Sequence, residues 1–441
     1  MTTATAPGGV LSRFDPQLNG RDPLWRAEAR LAALEWVGKH GFPTRKDEDW
    51  KYTGLDSILA VPFEAATVES GRRVSADMIE AAAVDLGGAR LVFVNGHFSS
   101  ELSRLAGLPA GAEVTSLAAV MAAGPERLER FFSRAPGEHH AFATFNDALT
   151  EDGAFVHLTP GTCVNEPIQL VFFSDAGGFP LLSSPRSVIL AEPGSSATIV
   201  ETYAGIHGDV YCTNAVTEVV LAEDAQIEHY KVQDEPVTAY HLALLDVRQG
   251  RNSRFSTRSV MLGSSIARHE VRVLFEDVGA EVSLDGVYLP QGDQLHDNTI
   301  FVDHAAASCT SHQLYKGVLD GRGHGVFNGH IMVRPGADGT DANQKNKNLI
   351  LSDRAEVDTR PRLEIYADDV KCTHGAAVGQ LDEDALLYLR ARGIPLEAAR
   401  GLLIKAFVHE MVDRIGLLPL RAQVEALVAG RFAAGEGPVE P

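Results

Sequence analysis

Cysteine is scarce in this chain: 441 residues hold four, at positions 163, 212, 309 and 372, each at least 49 residues from the next. With no C-x-x-C, neither a disulfide framework nor a self-contained zinc or cluster site is signalled. Any metal needs ligands brought together by the fold or shared with another chain. No run approaches the ~18 apolar residues of a membrane span. The opening MTTATAPGGVLSRFDPQ lacks the charged-then-apolar pattern of an export signal, so a cytoplasmic protein is expected. Positive charge is short as well: 39 Lys and Arg against 59 Asp and Glu give a formal charge of -20 and a pI near 5.2. That balance argues against nucleic acid and anionic membranes as partners. No G-x-x-x-x-G-K-[ST], G-x-S-x-G or H-E-x-x-H is present, which excludes a P-loop ATP site, a nucleophile elbow and a zincin centre. The glycines of Gly321–Gly325 lack a third in register and a following helix, so they do not form a dinucleotide loop.

What remains is an ordinary globular composition, 45% hydrophobic and 22% charged, long enough for two or three structural units. Residues 1–20 read as a flexible arm, and 21–150 as a helical or α+β unit. Within that unit the apolar spacing predicts helices over Pro23–Lys39, Ala76–Ala83, Glu126–Phe132 and Phe142–Leu149, with one short strand, Arg90–Val94. The charged cluster Arg45–Asp49 runs into Trp50 and Tyr52, either as a solvated turn with aromatic anchors or as an interaction site.

From about Gly153 the period changes to two. Short β-branched runs such as PIQLVFFS, RSVILAE, HEVRVLFE and NTIFVDH alternate with turn clusters such as EPGSS, AEDA, RQGRN and EDVGA. A sandwich, a barrel or a solenoid accommodates such a run, and the recurring strand, acidic or Gly turn, strand texture favours the solenoid over 151–380. Its last coil must be capped or used for pairing with a partner. Residues 381–434 turn helical, and Leu403, Phe407 and Met411 carry a wide apolar band with Ile404, Val408, Val412 and Ile415.

Candidate chemistry is sparse. If Asp368–Gly379 is extended, Cys372 and His374 share one face, as a soft-metal ligand pair, an activated nucleophile, or a packed thiol beside a hydrogen-bonded histidine. Eight of the sixteen histidines lie between His229 and His330, and most are expected to face outward or to be satisfied by neighbours. Asp293, Asp297 and Asp303 could serve a carbohydrate-cleaving β-helix enzyme, although the strands lack aromatic platforms.

Three stretches carry a family resemblance: DEDWKYT (Asp47–Thr53), HQLYKGVLDGRGHGVFNGHIMV (His312–Val333) and LEIYADDVKCTHGAAVGQLDEDALLYLRARGI (Leu363–Ile394). Through them the chain, from about residue 40 to 415, resembles the SufB/SufD family of iron–sulfur cluster assembly scaffolds, on its SufD side. The resemblance implies a right-handed parallel β-helix core flanked by helical regions. It implies a non-catalytic scaffold subunit that pairs with SufB and binds the ATPase SufC through its C-terminal helices, here Leu402, Leu403, Phe407 and Met411. It further implies a nascent, transient iron–sulfur cluster shared with SufB, to which the K-C-x-H-G motif contributes His374, with Cys372 beside it. Where SufB has its scaffold cysteine this chain reads Asn346, Lys347 and Asn348, which favours the SufD side and makes the candidate site half of one. The other assemblies to weigh are a homodimer of the isolated chain and a purely structural organiser that contributes no ligand. SufD-type proteins also raise a reduced flavin as an associate, but no flavin motif occurs here.

Overall fold

A computed structural model describes residues 22–71, 73–132 and 140–433; the expected arm over 1–20 and the last residues of the tail lie outside them. The helix Leu24–His40 is followed by a helical turn Glu48–Trp50, a helix Ala76–Ala82 and a helix Ala141–Leu149, with Arg90–Val94 a strand as the spacing predicts. Two arginines of the first helix explain its attachment. Arg26 donates to the carbonyls of Asp147 and Thr150, and Arg30 to those of Ala148 and Thr150. They satisfy the carbonyls left open where the Ala141–Leu149 helix ends. The strand Ala112–Ser116 and the helix Leu117–Ala123 carry no clear periodic signal and were not expected.

From Arg186 onward successive strands alternate between two sheets, which hold 11 and 10 strands in all, and each strand up to Asp341–Ile350 pairs in parallel with the strand two places on. This is a parallel β-helix, each coil contributing one strand to each sheet. The coil length varies: Tyr240 pairs with Ile266, 26 residues on, whereas His324 pairs with Glu356, 32 residues on. That variation is why strand spacing along the chain looks irregular.

One corner is built the same way in six coils. Gly194, Asp224, Asn252, Gly279, Ser308 and Gly339 take left-handed backbone angles, with φ between 52° and 76°. Each donates its N–H to a carbonyl of the next coil, as from Asp224 to Arg251 and from Gly339 to Asp369. Glycine, Asn and Asp tolerate this conformation, which accounts for the acidic and Gly-containing turns. The next residue turns inward and is small: Ser195, Ala225, Ser253, Ala280, Cys309 and Thr340 are all buried. Cys309 is therefore a corner filler.

Between the sheets, aliphatic and aromatic side chains stack from coil to coil. Phe93, Phe172 and Tyr203 lie with ring centroids 5.0 and 4.8 Å apart. The C-terminal helices Leu396–Val412 and Leu418–Ala433 cover the outer face of the 10-stranded sheet. There Ile404, Val408, Met411 and Val424 pack on Tyr230, Val260, Val287 and Leu314. Strands in that sheet thus carry buried apolar side chains on their outer face as well as in the interior. Among the described residues no helix is long and apolar enough to cross a membrane.

The Asp47–Thr53 turn is a bolt laid across the other sheet. Trp50 is buried against Phe142, and the guanidinium of Arg268 lies 3.9 Å from the centre of its ring. Arg268 also donates to the Asp49 carbonyl (3.0 Å) and to Asp297, which accepts from Thr53 as well. Asn328 donates to Asp49, and Arg360 to Glu48. Four successive coils are tied in this way: the charged cluster Arg45–Asp49 is a solvated turn anchored by Trp50, and Glu48 and Asp49 bind the sheet beneath it.

Candidate functional site

The two ends of the β-helix differ. At the first coil, Ala112–Ser116 adds antiparallel to Ala154–Leu158, and His97–Phe98 adds antiparallel to Arg90–Val94. At the far end Glu356–Ile365 and Lys371–Gly379 are the last strands of their sheets, and no described strand lies beyond them. The K-C-x-H-G motif sits on the second of these edges.

Lys371–Gly379 pairs with Asp341–Leu349, placing Cys372 beside Ala342 and His374 beside Gln344. Cys372 is half-buried against the interior core, while His374 is exposed at the open end. Burial, and to a lesser degree the charge of Asp341, push the Cys372 thiol up, so the neutral thiol is favoured at neutral pH. A Cβ built on Gly375 or Gly379 would meet nothing within 4 Å, so no contact inside the chain requires glycine at either place.

Asn346 and Asn348 face the interior and are held in a hydrogen-bond network. Asn346 donates to the hydroxyl of Tyr288 (3.1 Å) and the carbonyl of Tyr315 (3.3 Å), and Asn348 donates to Asn346 (2.6 Å). Burial pushes both tyrosine hydroxyls up beyond their ordinary range, so they stay neutral. Among the described residues no group of three or more His, Cys, Asp or Glu is arranged to hold a metal ion.

Of the eight histidines expected to face outward or to be satisfied by neighbours, five turn inward, and His229, His296 and His304 among them are held by neighbours. His229, His241, His269, His296 and His304 are all buried. They belong to an interior lined by polar groups that also includes Glu201, Lys231 and Glu235. His241 lies 2.7 Å from Glu235, and His229 donates to or accepts from Thr257 at 2.8 Å. Burial lowers Lys231 to about 8, against the pull of Glu201 and Glu235. No local signal could have placed these residues inside, because a two-residue period says which residues share a side and not which side is the core.

The C-terminal candidates separate. Leu402 is exposed, and Leu403 and Phe407 are half-buried, with the Lys316 ammonium 4.7 Å from the Phe407 ring centre. Met411 is 4% exposed and part of the core beneath the helix. Met411 is therefore corrected from a docking residue to a packing residue, because a partner could reach it only by lifting the helix. Between Leu396–Val412 and Leu418–Ala433 an apolar groove of about 560 Å³ opens, lined by Leu402, Ile404, Val408, Val428 and Phe432. The three aspartates weighed for carbohydrate chemistry are each engaged by a different arginine: Asp293 by Arg322, Asp297 by Arg268 and Asp303 by Arg334.

The fold class is a parallel β-helix whose last strands no described strand pairs, with a histidine exposed on that edge. The sequence comparisons name the family. Residues 172–407 match the family description "SUF system FeS cluster assembly, SufBD core domain", and residues 24–170 match "SufBD protein N-terminal region". Similar curated proteins include the iron–sulfur cluster assembly SufBD family protein slr0076 of Synechocystis, 32% identical over 94% of this chain and 93% of its own length. The iron–sulfur cluster assembly protein SufD of Escherichia coli is 30% identical over 91% of this chain and 92% of its own. The SufD protein of Bacillus subtilis is 27% identical over 66% of this chain and 67% of its own. The chain belongs to the SufBD family of iron–sulfur cluster assembly proteins.

Proposed function

We propose that this chain is a cytoplasmic, non-catalytic scaffold subunit that pairs through its open end with a SufB-type subunit and carries a SufC-type ATPase on its C-terminal helices. The observation that carries the reading is the last coil, beyond which no described strand pairs, with His374 exposed on its edge. Unpaired strand edges are templates for pairing with another chain. A Cβ at Gly375 would meet nothing inside the chain, which leaves room for another backbone to approach.

At that interface His374 supplies a neutral imidazole to iron, and the partner supplies thiolate and carboxylate. The cluster is cargo under construction, shared between the two chains. Cys372 stands second to His374, since its thiol is pushed up and must lose a proton before it can bind iron. The apolar groove lined by Leu402 supports helix docking by the ATPase, consistent with the missing P-loop in this chain.

The second reading is an organiser that contributes no ligand, and it is favoured by the half-buried, neutral thiol at Cys372. Co-purification from the host, with identification of bound subunits and analysis of iron and sulfide, tests the main reading. It expects SufB-type and SufC-type subunits with iron and sulfide; a chain that purifies alone overturns it.

A further inference from the structure

The block His312–Val333 contributes to the candidate site through one residue pair. Leu284, Gln313, Gln344 and His374 are successive neighbours in one register column of the 10-stranded sheet. Parallel neighbours stand about 4.8 Å apart and point the same way. Gln313 and Gln344 are both buried inside the β-helix. The Gln344 Nε2 donates to the Gln313 Oε1 at 2.9 Å.

A planar amide whose N–H points to the preceding coil turns its oxygen toward the following one. The Gln344 Oε1 is buried and has no hydrogen-bond partner within the chain. Its neighbour in the following coil is His374. The other end of the ladder agrees: the Gln313 Nε2 faces the coil of Leu284 and is also without a partner. A buried amide oxygen without a donor is costly, so such a group calls for a partner.

The opposite sheet is shaped around this amide. A Cβ at Gly329 would lie 2.1 Å from the Gln344 Nε2 and 2.9 Å from its Oε1. Glycine there gives the amide the space it occupies, whatever its own backbone preference.

We propose that Gln344 is a positioning residue for His374: its amide oxygen accepts the imidazole N–H, which fixes one tautomer and leaves the other ring nitrogen bare for iron. Metal-ligating histidines commonly donate their second N–H to a carbonyl or carboxylate in this manner. The tautomer stands independently of iron, whereas its use in ligation rests on the function proposed above.

The test uses the full chain with 15N-labelled histidine rings, observed by NMR at a pH where imidazoles are neutral. The His374 signals are identified by their loss in His374→Ala. Wild type is expected to show one protonated and one bare nitrogen. In Gln344→Leu the two shifts converge, and in Gln344→Glu, which can only accept, they stay apart. Gly329→Ala displaces the amide without altering Gln344 and is expected to converge the shifts as well. Separate shifts in both Gln344→Leu and Gly329→Ala, or converged shifts in Gln344→Glu, overturn the proposal. Ferrous iron titrated into the complex with the SufB-type subunit is expected to bind ~10-fold or more weakly in Gln344→Leu and to recover in Gln344→Glu. Converged shifts with unchanged iron binding uphold the positioning and overturn the ligand role of His374.

Discussion

Removing Arg268 should unfasten the bolt across the β-helix, and the size of the effect follows from its surroundings. The guanidinium is buried, lies on Trp50, and is shared between the Asp49 carbonyl, Asp297 and Glu270. Arg268→Ala leaves Asp297, fully buried, with only the hydroxyls of Thr53 and Thr299. Breaking a buried ion pair from one side costs about 3–5 kcal/mol, because the remaining charge is stranded. Lost contact with the indole adds up to ~2 kcal/mol. Glu270 suffers less. Burial alone would raise its carboxyl, but His140 and Arg272 remain, beside the lost Arg268, to hold it down. Adding Asp297→Asn removes the stranded charge, so the double variant should regain about half of the loss. Urea unfolding followed by tryptophan emission reads the change, since Trp50 is one of three tryptophans and lies directly under the guanidinium. Coils contact mainly their neighbours, so hydrogen exchange should rise in Ile266–Phe275 and Leu295–His304 and stay unchanged in Arg186–Ala191. A single variant within ~1 kcal/mol of wild type, or a double variant no better than the single, would refute the reasoning.

Further outcomes follow from the interior and the groove. Burial lowers His296 to about 3 and His304 to about 4, and Glu201 is held at about 2 by His229 and Lys231 even though burial works against it. The two histidines bind fewer protons folded than unfolded as the pH falls below 6.5, and Glu201 joins them below about 4.5, so stability declines from pH 6.5 toward pH 3. His296→Gln should flatten that decline in midpoint-against-pH measurements, by ~1.4 kcal/mol for each pH unit across which the histidine shift acted. Lys231, lowered from 10.5 to about 8, works in the alkaline range: the unfolded chain binds the extra proton there, so stability contributed by this group rises with pH over that window. On the C-terminal helices, Leu402→Asp should release a SufC-type ATPase in pull-down while leaving thermal unfolding unchanged, because Leu402 is 48% exposed. Met411→Asp should lower the unfolding midpoint instead, and equal effects of the two would contradict the division between them.

How much could be read from the chain depended on the range of the interaction. The alternation in RSVILAE or NTIFVDH is local, and so is the conformational demand behind turns such as AEDA, where Asp224 takes a left-handed angle. Those features identify a β-solenoid and its corners. Partners in a parallel β-helix lie a full coil apart, as Gln344 and His374 do, so register was not legible. The bolt was hidden for the same reason, since Asp49 meets Asn328 across 279 residues. The interior was hidden for a different one. Glu201, Lys231 and His269 alternate correctly but are polar, and the usual rule assigns polar residues to solvent. They violate it inside the β-helix, where Glu201 accepts from Thr217 and Tyr203 and Lys231 lies against the Tyr203 ring. Cys372 and His374 were legible as an adjacent pair, but their inequality, one half-buried and one exposed, came only with the open end.

Iron and sulfide content of the complex carrying His374→Ala, measured beside the recovery of its SufB-type and SufC-type subunits, tests the central claim most directly. The account predicts subunits recovered in wild-type proportion with iron and sulfide clearly reduced. Wild-type iron and sulfide on an intact complex would contradict it and leave the chain as an organiser that contributes no ligand.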